Sequence, residues 1–207
     1  MSPVLLVIAG PNGAGKTTIT ARLRQERWSD GVEYLNPDEI ARDRFGNWNS
    51  PQATLDAARW VSARREELLA RNEGIAFETV FSAPDKVEFL ARAKARGYFI
   101  RVFFIGTNDP TINAARVAAR VMQGGHTVPI DKIISRYVGC FANLSAALPV
   151  ADRVYIYDNS IDGVEARLCA RTLNGHLRKI YGALPPWVAD AVDRLPRHAD
   201  FVDVRVA

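Results

Sequence analysis

The sequence predicts an α/β fold, a three-layer sandwich built on a mainly parallel sheet. Three observations carry that expectation. Short runs rich in β-branched and aromatic residues alternate with longer amphipathic stretches up to about residue 160. The amphipathic stretches are punctuated as helices are, by capping residues and first-turn prolines in front and glycines behind. Strand–helix alternation feeds right-handed crossovers, which lay the strands side by side in parallel with helices over both faces.

The elements follow in order. The first strand is the apolar run Val4–Ala9, which leads into Gly10-Pro11-Asn12-Gly13-Ala14-Gly15-Lys16 and then a helical pattern over residues 17–27. Residues 32–35 read as the second strand and run into Asn36-Pro37-Asp38-Glu39, a helix start in which Asp38 can cap. Ser50-Pro51 opens a long helix over 51–73 that stops before Gly74. The third strand, 75–80, carries Glu78-Thr79 near its end. Pro84 opens a helix over 84–96 that ends at Gly97, and the fourth strand, 99–105, exits into Gly106-Thr107-Asn108-Asp109. Asp109-Pro110 starts a helix over 110–122 that ends at Gly124-Gly125, and a second helical pattern follows Pro129. The fifth strand, 154–157, exits into Asp158-Asn159-Ser160. From Leu184 the chain is proline-rich and then alternates, Val202-Asp203-Val204-Arg205-Val206. An edge strand would fit there, but the expectation is a loosely docked tail on a single domain spanning 1–207.

Composition narrows the partners. At 207 residues and 48% hydrophobic, the chain has core enough without disulfides or a structural metal. No window approaches the ~20 consecutive apolar residues of a membrane span. The apolar run at 4–8 is too short for a signal-peptide core and lacks a basic leader, so a cytosolic chain with reduced Cys140 and Cys169 is expected. Of the 27 basic residues 22 are arginine, but they are scattered, which reads as a solvated surface rather than a nucleic-acid face. His126, His176 and His198 sit in no metal-ligand spacing.

A parallel sheet binds ligands beyond the carboxyl ends of its strands, and all five predicted exits bring polar groups to that edge. Residues 10–17, GPNGAGKT, fit G-x-x-x-x-G-K-[ST] at every fixed position, between a strand and a helix as the motif requires. Its glycines let backbone N–H groups face inward as an anion cradle, Lys16 reaches the β- and γ-phosphates, and the Thr17 hydroxyl holds Mg²⁺. The ATP-binding set is therefore Gly10, Pro11, Asn12, Gly13, Ala14, Gly15, Lys16, Thr17 and Thr18. Two carboxylates, Asp158 and Glu78, end apolar strands in the manner of a Walker-B acid. Asp38, 22 residues beyond Lys16, faces the γ-phosphate across the cleft and is the candidate general base. The acceptor set expected on this edge is Asn36, Asp38, Glu78, Thr79 and Arg116. Arg116 and Arg120 share a helix face, and with Arg136 across the Gly124-Gly125 hinge they form a basic lid over residues 116–136.

GPNGAGKTT, NPDEIAR, FETVFS, RVAARVMQGGHTVP, ISRYVGCFANL and VYIYDNS occur in this order over about residues 3–160. Together they resemble the short zeta-toxin-like P-loop kinases, and GGHTVP with its flanking arginines is the least generic segment. The resemblance implies a three-layer α/β/α P-loop nucleoside triphosphate hydrolase-type fold with a helical lid, using ATP and Mg²⁺. For the larger zeta toxins it implies phosphorylation of the 3′-hydroxyl of UDP-N-acetylglucosamine, a nucleotide sugar, under the restraint of a partner antitoxin. Carried over by motif, Lys16 and Thr17 serve ATP and Mg²⁺, Asp38 is the base, Glu78 and Thr79 contact the acceptor, and Arg120 and Arg136 are lid arginines. Two positions depart: Ser135-Arg136-Tyr137 stands where the short branch typically reads Arg-Arg-Tyr, and Glu78-Thr79-Val80 is a less polar strand exit. A nucleoside, nucleotide or polynucleotide 5′-kinase and an ATP-dependent switch without a small-molecule acceptor remain as alternatives.

Overall fold

The structure is a computed structural model and describes all residues except 1, 24–25, 27–30, 47–49, 125–127 and 206–207. Its elements are β1 (Val4–Ala9), α1 (Lys16–Leu23), β2 (Val32–Leu35), α2 (Pro37–Phe45), α3 (Pro51–Arg71), β3 (Gly74–Thr79), α4 (Asp85–Ala95) and β4 (Phe99–Gly106). They continue with α5 (Pro110–Met122), α6 (Ile130–Ala147), β5 (Arg153–Asp158), β6 (Arg167–Leu173), β7 (His176–Ile180), α7 (Pro186–Val192) and β8 (Arg197–Asp203).

Local chemistry explains the helix ends. Asn36 caps α2 by accepting the Asp38 N–H at 2.9 Å, Pro37 follows in the first turn, and Gly46 closes the helix at φ 68°. Ser50 caps α3, and Asn72 ends it in the left-handed region at φ 53°, two residues before the predicted stop. Asp109 caps α5 by accepting the Thr111 N–H at 2.7 Å. The predicted first helix reached Arg27, which lies outside the described residues; α1 is described over Lys16–Leu23.

The strands form one sheet in the order β2-β3-β1-β4-β5-β6-β7-β8, and β1 to β5 are mutually parallel. Register fixes the functional edge. Ala9 lies beside Thr79 on one side and Phe104 on the other, and Gly106 lies beside Asp158, so the polar exits of these strands reach one rim.

The two faces are covered unequally. On one face Leu5, Val7, Phe77, Ile100, Val102, Phe104, Val154 and Ile156 pack against α3, α4, α6 and α7. Each such buried side chain contributes roughly 1.5–3 kcal/mol relative to exposure. On the other face Ile8 and Ile105 pack against Ile19 of α1, with Leu23 and Tyr157 at the margin. A third, small cluster of Val117, Val128 and Ile133 joins α5 to α6 and gives the lid its own core.

The C-terminal third corrects the expectation of a loosely docked tail. Strands β6 and β7 form an antiparallel hairpin on β5, turned by Asn174 and Gly175, both at positive φ (49° and 75°). Strand β8 adds parallel to β7 as the sheet edge. Helix α7 buries Val188 and Val192 and lays Trp187 on Gly106, where an added Cβ would stand 2.7 Å from the ring. Trp187 also meets Phe141 at 5.1 Å between ring centroids and donates its indole N–H to Asp158 at 3.2 Å. No described helix is long and apolar enough to cross a membrane.

Candidate active site

The loop at residues 10–17 curls over the end of β1 and hands the chain to α1, whose free N–H groups open toward it. Gly10 adopts φ 145° with its backbone against the Ile105 carbonyl, and a side chain there would collide with it. Three groups, two from α5 and one from the β5 exit, brace the loop. The Asn113 amide donates to the Asn12 carbonyl at 2.7 Å, the Asn159 amide donates to the Ala14 carbonyl at 2.8 Å, and Arg116 reaches the Gly13 carbonyl at 3.4 Å.

Lys16 folds back over this cradle and donates its ammonium to the carbonyls of Gly10 (2.9 Å) and Pro11 (3.1 Å). Burial pulls its pKa below the ordinary lysine range; Glu78, Cys140 and Asp38 pull it back up, and Arg120 adds to the lowering. Lys16 therefore sits within the electrostatic reach of Asp38, Glu78 and Arg120 together, which the sequence had placed on separate elements.

Between the two Walker-B-like candidates the structure distinguishes clearly. Glu78, buried at the end of β3, directs Oε2 toward the Thr17 hydroxyl at 3.4 Å. Its Oε1 accepts from the hydroxyls of Thr20 (2.6 Å) and Tyr34 (2.8 Å). Asp158 instead accepts from Ser160 at 2.6 Å and from Trp187, on the far side of β4, where it secures the C-terminal helix. A hydroxyl and a carboxylate are hard oxygen donors of the kind Mg²⁺ takes. Mg²⁺ keeps much of its shell as water and phosphate oxygens, so Thr17 and Glu78 fit the ion without further ligands.

Asp38 is exposed in the first turn of α2, and its carboxylate has no hydrogen-bond or ion-pair partner among the described residues. The reading of Asp38 as the helix cap is corrected, because Asn36 holds that position. Asn36, expected among the acceptor contacts, stands between β2 and α2. It is buried, its oxygen caps α2, and its amide donates to the Tyr34 hydroxyl at 3.1 Å. Thr79 accepts the Phe81 N–H at 3.1 Å, which supports the left-handed turn of Phe81 (φ 62°) just past the site.

The expected arginine cluster divides. Arg136 reaches the Asn12 side chain at 3.5 Å, and Arg120 is exposed with no ion-pair partner among the described residues. Arg116, expected among the acceptor contacts, is bound to Asp162 (2.7 Å) and to the Asn159 carbonyl (2.8 Å), beyond β4 and β5. Glu78 lies on the opposite side of β1, so the loop separates the two. Arg116 there helps line a cavity of about 240 Å³ with Gly15, Thr18, Arg22, Asn159 and Asp162. Of the predicted hinge, Gly124 is described, at φ 84°, while Gly125 and His126 lie outside the described residues.

Four site residues were not anticipated: Thr20, Tyr34, Asn113 and Asn159 as braces. Asn113 carried a signal, being a lone buried amide in an otherwise Ala- and Val-rich helix. Tyr34 stands two residues before Asn36 and so shares its face of β2, but nothing in a four-residue strand marks it out.

Comparison with known proteins follows the same lines. The family model described as Zeta toxin matches residues 1–164. An uncharacterized protein of Haemophilus influenzae is 30% identical over 129 residues, which is 62% of this chain and 88% of that protein. Among solved structures, the AvrRxo1-ORF1:AvrRxo1-ORF2 complex with sulphate ions aligns at a TM-score of 0.65 and 18% identity over 85% of this chain. The chain spans 60% of the length of that structure's matched chain. The PezAT chromosomal toxin–antitoxin system of Streptococcus pneumoniae aligns at 0.57 and 17% identity, over 94% of this chain and 78% of that one. At these identities the structural likeness establishes the fold.

Proposed function

The chain belongs to the zeta toxin family, and from that premise we propose that it is an ATP- and Mg²⁺-dependent kinase that phosphorylates a hydroxyl of a nucleotide sugar such as UDP-N-acetylglucosamine. The observation that carries this reading is the convergence of Lys16, Thr17, Asp38 and Glu78 at one rim of the parallel sheet. The loop amides and the α1 N-terminus bind the triphosphate, and Lys16 exchanges its two carbonyl partners for phosphate oxygens. Mg²⁺, when bound at Thr17 and Glu78, neutralises charge on the β- and γ-phosphates.

Asp38, without a hydrogen-bond or ion-pair partner among the described residues and within the electrostatic reach of Lys16, takes the proton of the acceptor hydroxyl as that oxygen attacks the γ-phosphorus. The bond from the γ-phosphorus to the bridging oxygen breaks, and ADP leaves. Arg120 and Arg136 lie on the helices over this edge and compensate the charge spread over the transferring group. Thr79, beside Glu78, contacts the acceptor. A cytoplasmic setting, where ATP and nucleotide sugars are found, suits the reaction. An antitoxin partner is part of the same reading, supported by the two-component complexes among the structural neighbours.

Transfer of labelled γ-phosphate to a panel of metabolites tests the proposal. A labelled UDP-N-acetylglucosamine 3′-phosphate is the expected product. Label on nucleoside or polynucleotide 5′-hydroxyls, with none on sugar nucleotides, would replace the acceptor while keeping the kinase.

A further inference from the structure

The hydrogen bonds around Glu78 have a fixed direction. The backbone N–H of Asp38 occupies the Asn36 oxygen, so the Asn36 amide nitrogen must face Tyr34 and donate to its hydroxyl at 3.1 Å. The Tyr34 oxygen is thereby an acceptor from Asn36, and its single proton is directed to Glu78 Oε1 at 2.8 Å. Thr20 also has one proton, shared between the Lys16 carbonyl (3.1 Å) and Glu78 Oε1 (2.6 Å); the shorter, charge-assisted bond takes it. With Oε1 filled by two hydroxyls, Oε2 is the oxygen left for Thr17 and whatever binds there.

We propose that Tyr34 is a positioning residue for the metal site, which acts by holding Glu78 Oε1 so that Oε2 is presented beside the Thr17 hydroxyl. The same hydroxyl joins this carboxylate through Asn36 to the first turn of α2, which carries Asp38. The base and the metal carboxylate thus hang on one chain of hydrogen bonds, Asp38 N–H to Asn36 to Tyr34 to Glu78. This inference rests on the kinase reading and assigns to Tyr34 a part in it that sequence spacing did not suggest.

Tyr34→Phe keeps the ring and removes only the hydroxyl. The measurement is the affinity of Mn²⁺ for the protein in the presence of ADP, followed by electron paramagnetic resonance, which needs neither turnover nor a known acceptor. An outer partner of a metal ligand is worth roughly 10–100-fold in affinity. The expected result is about tenfold weaker Mn²⁺ binding in Tyr34→Phe, and a matching rise in the Mg²⁺ needed for half-maximal phosphoryl transfer. In a Glu78→Gln background the same change should add nothing, because Tyr34 acts through that carboxylate. Unchanged Mn²⁺ affinity, or a penalty in the Glu78→Gln background equal to that in the wild type, overturns the role of Tyr34 and leaves the kinase reading standing. Absence of Mn²⁺–ADP binding by the wild-type protein overturns the kinase reading itself.

Discussion

Asn113, in the lid helix α5, donates its side-chain amide to the main-chain carbonyl of Asn12 at 2.7 Å, so the phosphate loop and the base of the lid form one body. A Cβ on Gly13 would stand 2.6 Å from the Asn113 carbonyl, which leaves no room between them. Arg120 lies one turn farther along α5, exposed and with no ion-pair partner among the described residues. Arg116 stays with the loop.

That division predicts different phenotypes for two arginines one helical turn apart. Arg116→Ala removes bonds to Asp162 and to the Asn159 carbonyl, and should cost about 1–2 kcal/mol of stability. Its kinetic effect should fall mainly on the KM for ATP. Arg120→Ala removes an exposed side chain that has no ion-pair partner among the described residues, and should leave stability within about 0.5 kcal/mol, while turnover drops about 10²-fold or more. Chemical denaturation beside steady-state kinetics checks both, and equal kinetic effects in the two variants would dissolve the distinction.

Lys16→Ala should abolish phosphoryl transfer, with a loss of at least about 10²-fold, in a protein that remains folded. Among the described residues the ammonium of Lys16 donates to two carbonyls of its own loop, bonds worth about 1 kcal/mol each. Circular dichroism and thermal melting report the fold, and labelled-phosphate transfer reports activity. A folded variant with full activity would refute the ATP site.

Much of this site was legible because it follows from short-range rules. The GPNGAGKT loop, Asp38 and Glu78 each stand at the exit of a strand, and parallel pairing brings such exits to one rim without further information. What short-range rules left open needed backbone and side-chain directions. Asn36 and Asp38 both suit a helix start, and only the backbone at Asn36, with φ −127° and ψ 116°, settles which one caps. Arg116 and Arg120 share a helix face in sequence, but Asp162, more than forty residues away, captures one of them. The β6–β7 hairpin was missed although Asn174-Gly175 is a strong turn signal. Its strand RLCARTL places Arg171 beside Tyr155, and the mixed polarity hides the alternation.

Stability should fall with rising pH through the alkaline range, and Cys140 is one identifiable cause. Burial pushes its thiol from the ordinary value of 9.0 up to about 12, with Lys16 and Arg136 opposing. Between those values the unfolded chain has lost the proton that the folded chain retains. The contribution is therefore fully present below about pH 9 and declines as pH rises, by at most about 1.4 kcal/mol per pH unit. Cys140→Ser keeps a hydroxyl donor for the Val80 carbonyl but does not titrate in this window. Urea unfolding at about pH 8 and about pH 10 should show a shallower decline in the variant. Identical declines would assign the effect elsewhere.

The exchange of roles between Asn36 and Asp38 gives the most direct test of the mechanism. Asn36→Ala removes the α2 cap and should cost about 1 kcal/mol of stability, with activity lost through fraying of the first turn of α2 and through the lost hydrogen bond that orients Tyr34. Asp38→Asn keeps size and leaves the cap intact, since the cap uses the backbone N–H of residue 38 and not its side chain. Stability should be unchanged within about 0.5 kcal/mol. An amide cannot take the acceptor proton near neutral pH, so transfer should fall about 10²–10⁴-fold while ATP binding, measured by calorimetry, stays within a few-fold. The two variants thus separate helix integrity from proton transfer at adjacent turns of one chain. Normal transfer by Asp38→Asn, once the acceptor is in hand, would leave the reaction without its base, because Glu78 is already committed to Thr20, Tyr34 and Thr17.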